Sequence, residues 1–133
     1  MKPILFCSLM LSFCLLLPLA ATAADESKLP PGFIAVSEFA MNWSSAKDFC
    51  QRQGGRLPLV NDSTSLGAVP SGGRVDGFGT IGGPWPSGLP CVRFWTGTED
   101  AYRPGHSWFV HGVGDYVVRS DRQSGVTIVV CVP

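Results

Sequence analysis

Charge is what this sequence has least of. Charged residues make up 15% of the 133 residues, ten basic side chains balance ten acidic ones, and neither sign forms a run. This balance argues against a nucleic acid or an anionic membrane surface as partner. Histidine is scarce as well: His106 and His111 lie five residues apart across a predicted strand. Their side chains should therefore point to opposite faces, which is a poor geometry for a metal site.

The first 23 residues have the pattern of a cleaved export signal. Lys2 precedes an apolar run from Ile4 to Ala20, and small residues at 21–23 have the spacing that a signal peptidase reads. Pro18 interrupts the run, which falls short of the roughly 20 residues that a membrane-spanning helix needs. We therefore expect a protein exported to the periplasm, the cell surface or the medium, with three parts: a signal peptide (residues 1–23), a linker (24–32) and one domain (33–133).

The main helix is predicted to begin at Trp43. Asn42 before it is a favourable N-cap, because its side-chain oxygen can accept a hydrogen bond from a first-turn amide. The helix should end at Gly54–Gly55, since glycine enters the left-handed conformation of a C-cap without steric penalty. Residues 62–66 are candidates for the cap of a second, abbreviated helix. One face of the main helix carries apolar or sulfur-bearing residues at helical spacing: Trp43, Ala46, Phe49 and Cys50.

The rest of the domain divides into a glycine-rich segment and a strand-rich one. Residues 67–88 contain eight glycines and three prolines, a composition that predicts a long loop of the kind that is either functional or mobile. Apolar and aromatic patterns then predict three strands, at residues 92–96, 107–110 and 115–119. Residues 126–132 are apolar on both faces, as in a central strand that is covered on both sides.

Several of these motifs together resemble the bacterial branch of C-type lectin-like domains, which includes the lectin-like ends of invasin- and intimin-type adhesins. The resemblance implies an α+β fold with one main and one abbreviated helix, a small twisted antiparallel sheet and a long Gly-rich loop. It covers nearly all of residues 33–133. The motifs that carry it are Trp43–Cys50, Gly54–Pro58 (GGRLP), Phe94–Glu99 (FWTGTE), Trp108 and Val130–Val132.

The same resemblance implies a disulfide between Cys50 in the first helix and Cys131 in the last strand. After signal removal three cysteines remain, so that one disulfide leaves one thiol over. Cys91 is then either an inert buried thiol or a link to another chain. The closed loop of about 80 residues would remove roughly 4–5 kcal/mol of unfolded-state entropy.

The function that the resemblance implies is recognition without calcium. Sugar-binding members hold calcium through Glu-Pro-Asn or Gln-Pro-Asp and Trp-Asn-Asp tripeptides, and this sequence contains none of them. Invasin-type domains bind protein or surface ligands without that site. We therefore expect an exported, non-enzymatic binding module that needs no cofactor or metal, recognises a protein or glycan on a cell surface or in the envelope, and is a monomer or a Cys91-linked oligomer.

Two alternatives remain open at this stage. One is a structural or accessory subunit of a bacterial envelope or secreted assembly, which would associate through Cys91 or an exposed aromatic patch. The other is a small hydrolase, although His106, Ser107 and Asp115 are common residues without the strand-turn-helix motif of a nucleophile elbow.

Four residues are candidates for the binding surface. Trp85 lies between two prolines in the long loop, where it either packs onto the core or presents a flat face to a ligand. Asp100, Tyr102 and Arg103 follow the FWTGTE motif on a predicted exposed turn. These three either frame a polar contact beside Trp85 or are ordinary solvated turn residues.

Overall fold

The computed structural model describes residues 29–61, 73–112 and 116–133. Within these ranges the chain is an α+β domain with one helix, and no helix there is long and apolar enough to cross a membrane. In chain order the elements are β1 (Ala35–Val36), α1 (Trp43–Arg52), β2 (Val60–Asn61), β3 (Arg74–Val75), β4 (Gly79–Thr80), β5 (Arg93–Glu99), β6 (His106–His111), β7 (Val117–Arg122) and β8 (Val130–Cys131).

The strands form three small antiparallel sheets, with the orders β1–β8, β2–β3–β4 and β5–β6–β7. The expectation of a single small sheet is therefore wrong. Every strand outside the β5–β6–β7 sheet is only two residues long, too short to extend a shared ladder. The predicted abbreviated helix at residues 62–66 and the signal peptide lie outside the described residues.

Helix α1 has the boundaries that the sequence predicts. Asn42 is extended, and its side chain accepts a hydrogen bond from the amide of Ser45 at 2.9 Å. The helix ends at Arg52, and Gly54 follows with a φ of 83°, the left-handed conformation that favours glycine. The buried face consists of Trp43, Ala46 and Cys50.

Strand β6 is buried on both of its faces. On one face, Val110 pairs with Phe94 of β5 and with Val118 of β7 in the core cluster that also holds Trp108. On the other face, Phe109 pairs with Trp95 in the cluster that includes the buried side of α1. The β5–β6–β7 sheet therefore separates two apolar cores, in which Trp43, Trp95 and Trp108 are all buried.

The segment 127–132 connects all of these parts, although it is not the continuous strand that its apolar sequence suggests. Only Val130–Cys131 forms a ladder, with β1. Three other residues of the segment each form a single bridge to a different part of the chain, and each change of partner interrupts the ladder. These bridges are Thr127 with Met41, Ile128 with Phe94 and Val132 with Arg56.

A disulfide joins α1 to this segment. Cys50 and Cys131 are bonded with a Cα–Cα distance of 5.4 Å and a sequence separation of 81 residues, and both are fully buried. The predicted pairing is confirmed, and Cys91 is the free cysteine among the described residues. Because the bond connects a helix to a segment that already contacts four others, it closes most of the domain into one loop.

The described portion of the glycine-rich segment is folded. Residues 74–80 form the β3–β4 hairpin, which pairs with β2. Val75 and Phe78 are buried in the same core cluster as Phe94. The expectation of a long loop is therefore wrong for residues 74–80, where two buried apolar side chains anchor a hairpin, whereas residues 81–88 contain no helix or strand.

Replacing both Cys50 and Cys131 by alanine should lower the free energy of unfolding by about 3–5 kcal/mol, because an unfolded chain without the cross-link gains the entropy of a loop of about 80 residues. Urea unfolding followed by circular dichroism measures the loss. A Cys91→Ala control should change the stability by no more than about 1 kcal/mol. Peptide mapping that found Cys91 bonded to either partner would contradict the structure.

Candidate functional site

The turn between β5 and β6, residues 100–105, is held by a buried carboxylate. Asp100 is only 6% exposed, and its Oδ1 accepts a hydrogen bond from the amide of Tyr102 at 3.0 Å. Its backbone carbonyl accepts from the amide of Arg103 at 3.3 Å. The expectation that Asp100 is exposed is therefore wrong: its side chain bonds the backbone two residues ahead, as aspartate commonly does in turns. Asp100 therefore stabilises the conformation of the turn.

Tyr102 and Arg103 lie at the tip of this turn. Tyr102 is 68% exposed, and Arg103 is exposed as predicted. The amide of His106 donates to the carbonyl of Arg103 at 3.1 Å, and the amide of Asp100 donates to the carbonyl of His106 at 3.0 Å. These backbone bonds fix the tip, so an aromatic and a cationic side chain are displayed on a rigid support.

Trp85 packs against the core. Its ring stacks on Phe94 with centroids 6.1 Å apart, and it also contacts Phe78 and Tyr116. Its Nε1–H donates to the carbonyls of Leu89 and Pro90 at 3.1 and 3.2 Å. Of the two alternatives for this residue, the structure shows the one in which the loop tryptophan is docked.

Trp85 and the turn lie near opposite ends of β5. The Trp85 ring contacts Phe94, the second residue of that strand, whereas Asp100 comes directly after its last residue. At about 3.3 Å per residue, six residues of strand span up to roughly 20 Å. The structure therefore brings Asp100, Tyr102 and Arg103 together and places Trp85 apart from them, so one small ligand cannot contact all four residues as expected.

Asp76 joins several segments through the hydrogen bonds of its carboxylate, a role that was not predicted from the sequence. Its Oδ2 accepts hydrogen bonds from Arg56 at 2.7 Å and from the amide of Leu59 at 3.0 Å, while its Oδ1 accepts from Asn61 at 2.6 Å. One carboxylate thus binds the β3–β4 hairpin to the segment after α1. The available signal was the Asp76–Gly77 dipeptide, which is typical of a tight hairpin turn.

Burial and neighbouring groups shift the pKa values of two side chains, Asp76 and Tyr116. Partial burial alone would raise the pKa of Asp76, but the three hydrogen bonds and the positive charge of Arg56 outweigh it, and the pKa lies below its ordinary value. Burial raises the pKa of Tyr116 to about 12, an effect that the charge of Arg74 partly offsets. The hydroxyl of Tyr116 donates to the carbonyl of Gly79 at 2.6 Å.

Three open grooves lie on the described surface. One of about 410 Å³ contains Asp76 and Arg74, and another of about 190 Å³ lies between α1 and Leu59. The third has a volume of about 370 Å³ and adjoins the 100–105 turn. It is lined by Pro104, Gly105, His106, Arg122 and Ser124.

The remaining chemically reactive residues are dispersed. Cys91 is an exposed residue whose thiol donates to the carbonyl of Gly112. His106 and His111 occupy opposite faces of β6, as predicted. In the portions of the chain that the structure describes, no three histidine, cysteine, aspartate or glutamate side chains come together as a metal site would require.

Comparison with known proteins finds no family model, no curated protein and no solved structure that matches this chain.

Replacing Trp85 by alanine should lower the free energy of unfolding by about 2–4 kcal/mol, somewhat less than the 3–5 kcal/mol typical of a fully buried tryptophan. Trp85→Phe should lose less, because it keeps a ring against Phe94 and removes only the indole hydrogen bonds. Tyr102→Ala, at an exposed aromatic, is the control and should change stability by no more than about 0.5 kcal/mol. Urea unfolding followed by circular dichroism compares the three variants. A Trp85→Ala variant as stable as the parent would show that the ring is free for a ligand.

Replacing Asp76 by asparagine should destabilise the domain by about 1–2 kcal/mol at neutral pH, a modest value because the Arg56 side chain is half exposed. The folded-state pKa of Asp76 is lowered, so its contribution is fully present above the ordinary value of 3.8 and is lost as the pH falls through the folded-state value.

Urea unfolding at pH 7 and near pH 3 tests this dependence. The stability difference between the parent and Asp76→Asn should shrink at the lower pH. Asp48→Asn, at an exposed helical position, provides the control. A difference that persists unchanged at both pH values would mean that the Asp76 charge contributes nothing.

Proposed function

We propose that this chain is an exported, non-enzymatic binding module of the C-type lectin-like type, which recognises a protein or a glycan on a cell surface or in the envelope without calcium. Two structural features support the proposal: a scaffold that is closed between its first helix and its last strand, and an exposed turn held rigidly at one end of the largest sheet. The export signal and the absence of the calcium-binding tripeptides, both read from the sequence, support it as well.

The scaffold is suited to display. The disulfide between Cys50 and Cys131 and the pairing of β1 with β8 hold together segments that are distant in the sequence. Two buried cores cover both faces of the β5–β6–β7 sheet. A turn that leaves such a sheet loses little conformational entropy on binding, because its backbone is already ordered.

The observation that carries the proposal is the conformation of the 100–105 turn. Buried Asp100 holds the backbone, and Tyr102 and Arg103 project from the tip. Tyrosine and arginine are enriched among the residues that dominate binding energies at protein interfaces. A buried carboxylate that supports exposed tyrosine and arginine side chains is consistent with a contact surface.

An accessory subunit that associates through Cys91 is the second candidate, because Cys91 is an exposed free cysteine. The thiol nevertheless donates a hydrogen bond to Gly112 within the chain. The sulfur therefore has an internal partner, which favours the binding module over a disulfide-linked assembly.

The test is a glycan and surface-protein array probed with the purified domain. Tyr102→Ala and Arg103→Ala should each weaken binding to any ligand found by about tenfold or more, since hot-spot truncations cost about 2 kcal/mol or more. Both variants should keep the stability of the parent because neither residue is buried.

Phe39→Ala is the matched control, since Phe39 is a 73% exposed aromatic in the segment between β1 and α1. It should leave binding unchanged. Failure of the parent domain to bind any component of the array would reject the proposal. Equal losses in the turn variants and in Phe39→Ala would remove the turn as the contact surface.

A further inference from the structure

The groove beside the 100–105 turn has a chemical character of its own. Its volume of about 370 Å³ is at the lower end of the roughly 300–1,000 Å³ of small-molecule sites. It is lined by an imidazole (His106), a guanidinium (Arg122), a hydroxyl (Ser124) and the backbone around Gly105. The lining is therefore mixed: three side chains offer hydrogen-bonding groups, and Pro104 together with the carbon atoms of its neighbours supplies an apolar part.

The strand register explains why these side chains meet. His106 of β6 lies directly opposite Arg122 of β7, so the two side chains project from the same face of the sheet. The next pair on that face is Trp108 with Ser120. Its indole Nε1 and hydroxyl are the two buried side-chain polar atoms of the described residues that have no hydrogen-bond partner. Both atoms are buried and lie outside the groove lining, so the side chains that can bond a ligand there are those of His106, Arg122 and Ser124.

The positive charge of Arg122 is not neutralised within the described part of the chain. The two ion pairs found there are Arg56 with Asp76 and Arg93 with Asp121. Glu99 and Asp121 are both register partners of Ser107, which places them on the opposite face of the sheet from Arg122.

Asp121 accepts a hydrogen bond from the backbone amide of Arg122 at 2.7 Å, but its ion pair is with Arg93. Asp100 does not line the groove either. Its carboxylate is buried and engaged with the amide of Tyr102. An unpaired guanidinium on an open groove attracts anions, and its planar pair of N–H donors matches a carboxylate in particular.

We propose that this groove binds the carboxylate of an acidic sugar. Arg122 forms the bidentate ion pair with the carboxylate, His106 contributes a second hydrogen bond, and Ser124 contacts a sugar hydroxyl. The groove has room for a single ring, and its mixed lining complements a sugar, which presents both hydroxyl groups and an apolar C–H face. This inference rests on the proposed binding function and narrows it to one class of ligand.

The experiment is an NMR titration of isotopically labelled protein with an oligosaccharide that ends in glucuronate. The matched probe is the same oligosaccharide ending in glucose. The glucuronate probe should shift the resonances of Gly105, His106 and Ser124, and the glucose probe should bind at least about tenfold more weakly, because it cannot form the charge-assisted pair.

Variants on β7 separate a specific contact from general attraction. Arg122→Gln should weaken glucuronate binding by roughly ten- to a hundredfold, and Arg122→Lys should lie between it and the parent because lysine keeps the charge without the planar fork. Arg119→Gln is the matched control: Arg119 is exposed on the same strand, three residues away and therefore on the opposite face. It should change the affinity by less than about twofold, since exposed charges at this separation are largely screened.

Each other outcome would overturn the inference. Equal binding of the glucose probe, equal losses for Arg119→Gln and Arg122→Gln, or the absence of shifts around the groove would exclude a carboxylate site there. Tighter binding of an aspartate-rich peptide would exclude a sugar as its ligand. If the array finds a ligand whose binding does not depend on Arg122, this inference fails while the proposed function stands; if nothing binds, both fail.

Discussion

The bond between Cys50 and Cys131 joins the only described helix to the segment that holds the rest of the domain together. Residues 127–132 contact β1, the residue before α1's cap, the start of β5 and the segment after α1. Most strands are two residues long and could not form a stable sheet by themselves. The domain therefore depends on one central segment with several partners, and the disulfide fixes that segment to the helix whose face fills one of the two cores.

The two ends of the β5–β6–β7 sheet differ in how far the two cores cover them. Near the start of β5, Trp85, Phe78 and Tyr116 cover Phe94, and the packing is so close that a Cβ atom at Gly112 would lie 2.7 Å from the Trp85 ring. A ligand therefore cannot enter between Trp85 and Gly112, although the groove of about 410 Å³ that contains Asp76 and Arg74 lies on the surface beside Phe78. At the other end neither core covers the turn and the groove, which expose tyrosine, arginine and histidine side chains. The proposed recognition surface lies at the end that the cores do not cover.

Sequence patterns predicted the local features well. Asn42 and Gly54 define α1 through hydrogen bonding and backbone conformation, which depend on nearby residues. The pairing of Cys50 with Cys131 followed from a family resemblance, and the structure agrees with it. Residues 126–132 were predicted to be buried from their apolar composition, which is wrong for Val126, 55% exposed. The partners of the segment were not predicted, because hydrophobicity does not specify which segments a strand will contact.

The candidate site also shows that local sequence patterns do not predict contacts between distant segments. The sequence left open whether Trp85 is docked or exposed and predicted that Asp100 is exposed, and in the structure each side chain turns inward. The loop tryptophan is docked by aromatic neighbours from three separate segments, and the aspartate is buried by the turn that it organises. The pairing of His106 with Arg122 depends on the register between β6 and β7, and no local pattern in the chain determines that register. Distant contacts therefore decide the chemistry of the surface.

The position of residues 127–132 in the chain also bears on how the protein is made. A ribosome delivers this segment after every element that it joins, so neither core can be completed while the earlier residues emerge. Helix α1 and the β5–β7 meander can form locally. Until residues 127–132 are available, however, they cannot pack together, and their apolar faces stay exposed to water. Until Cys131 arrives, oxidation of Cys50 can only produce a wrong bond with Cys91 or with another molecule. The native bond can therefore form only after residue 131 has been made, and any earlier bond of Cys50 must first be exchanged by thiolate attack.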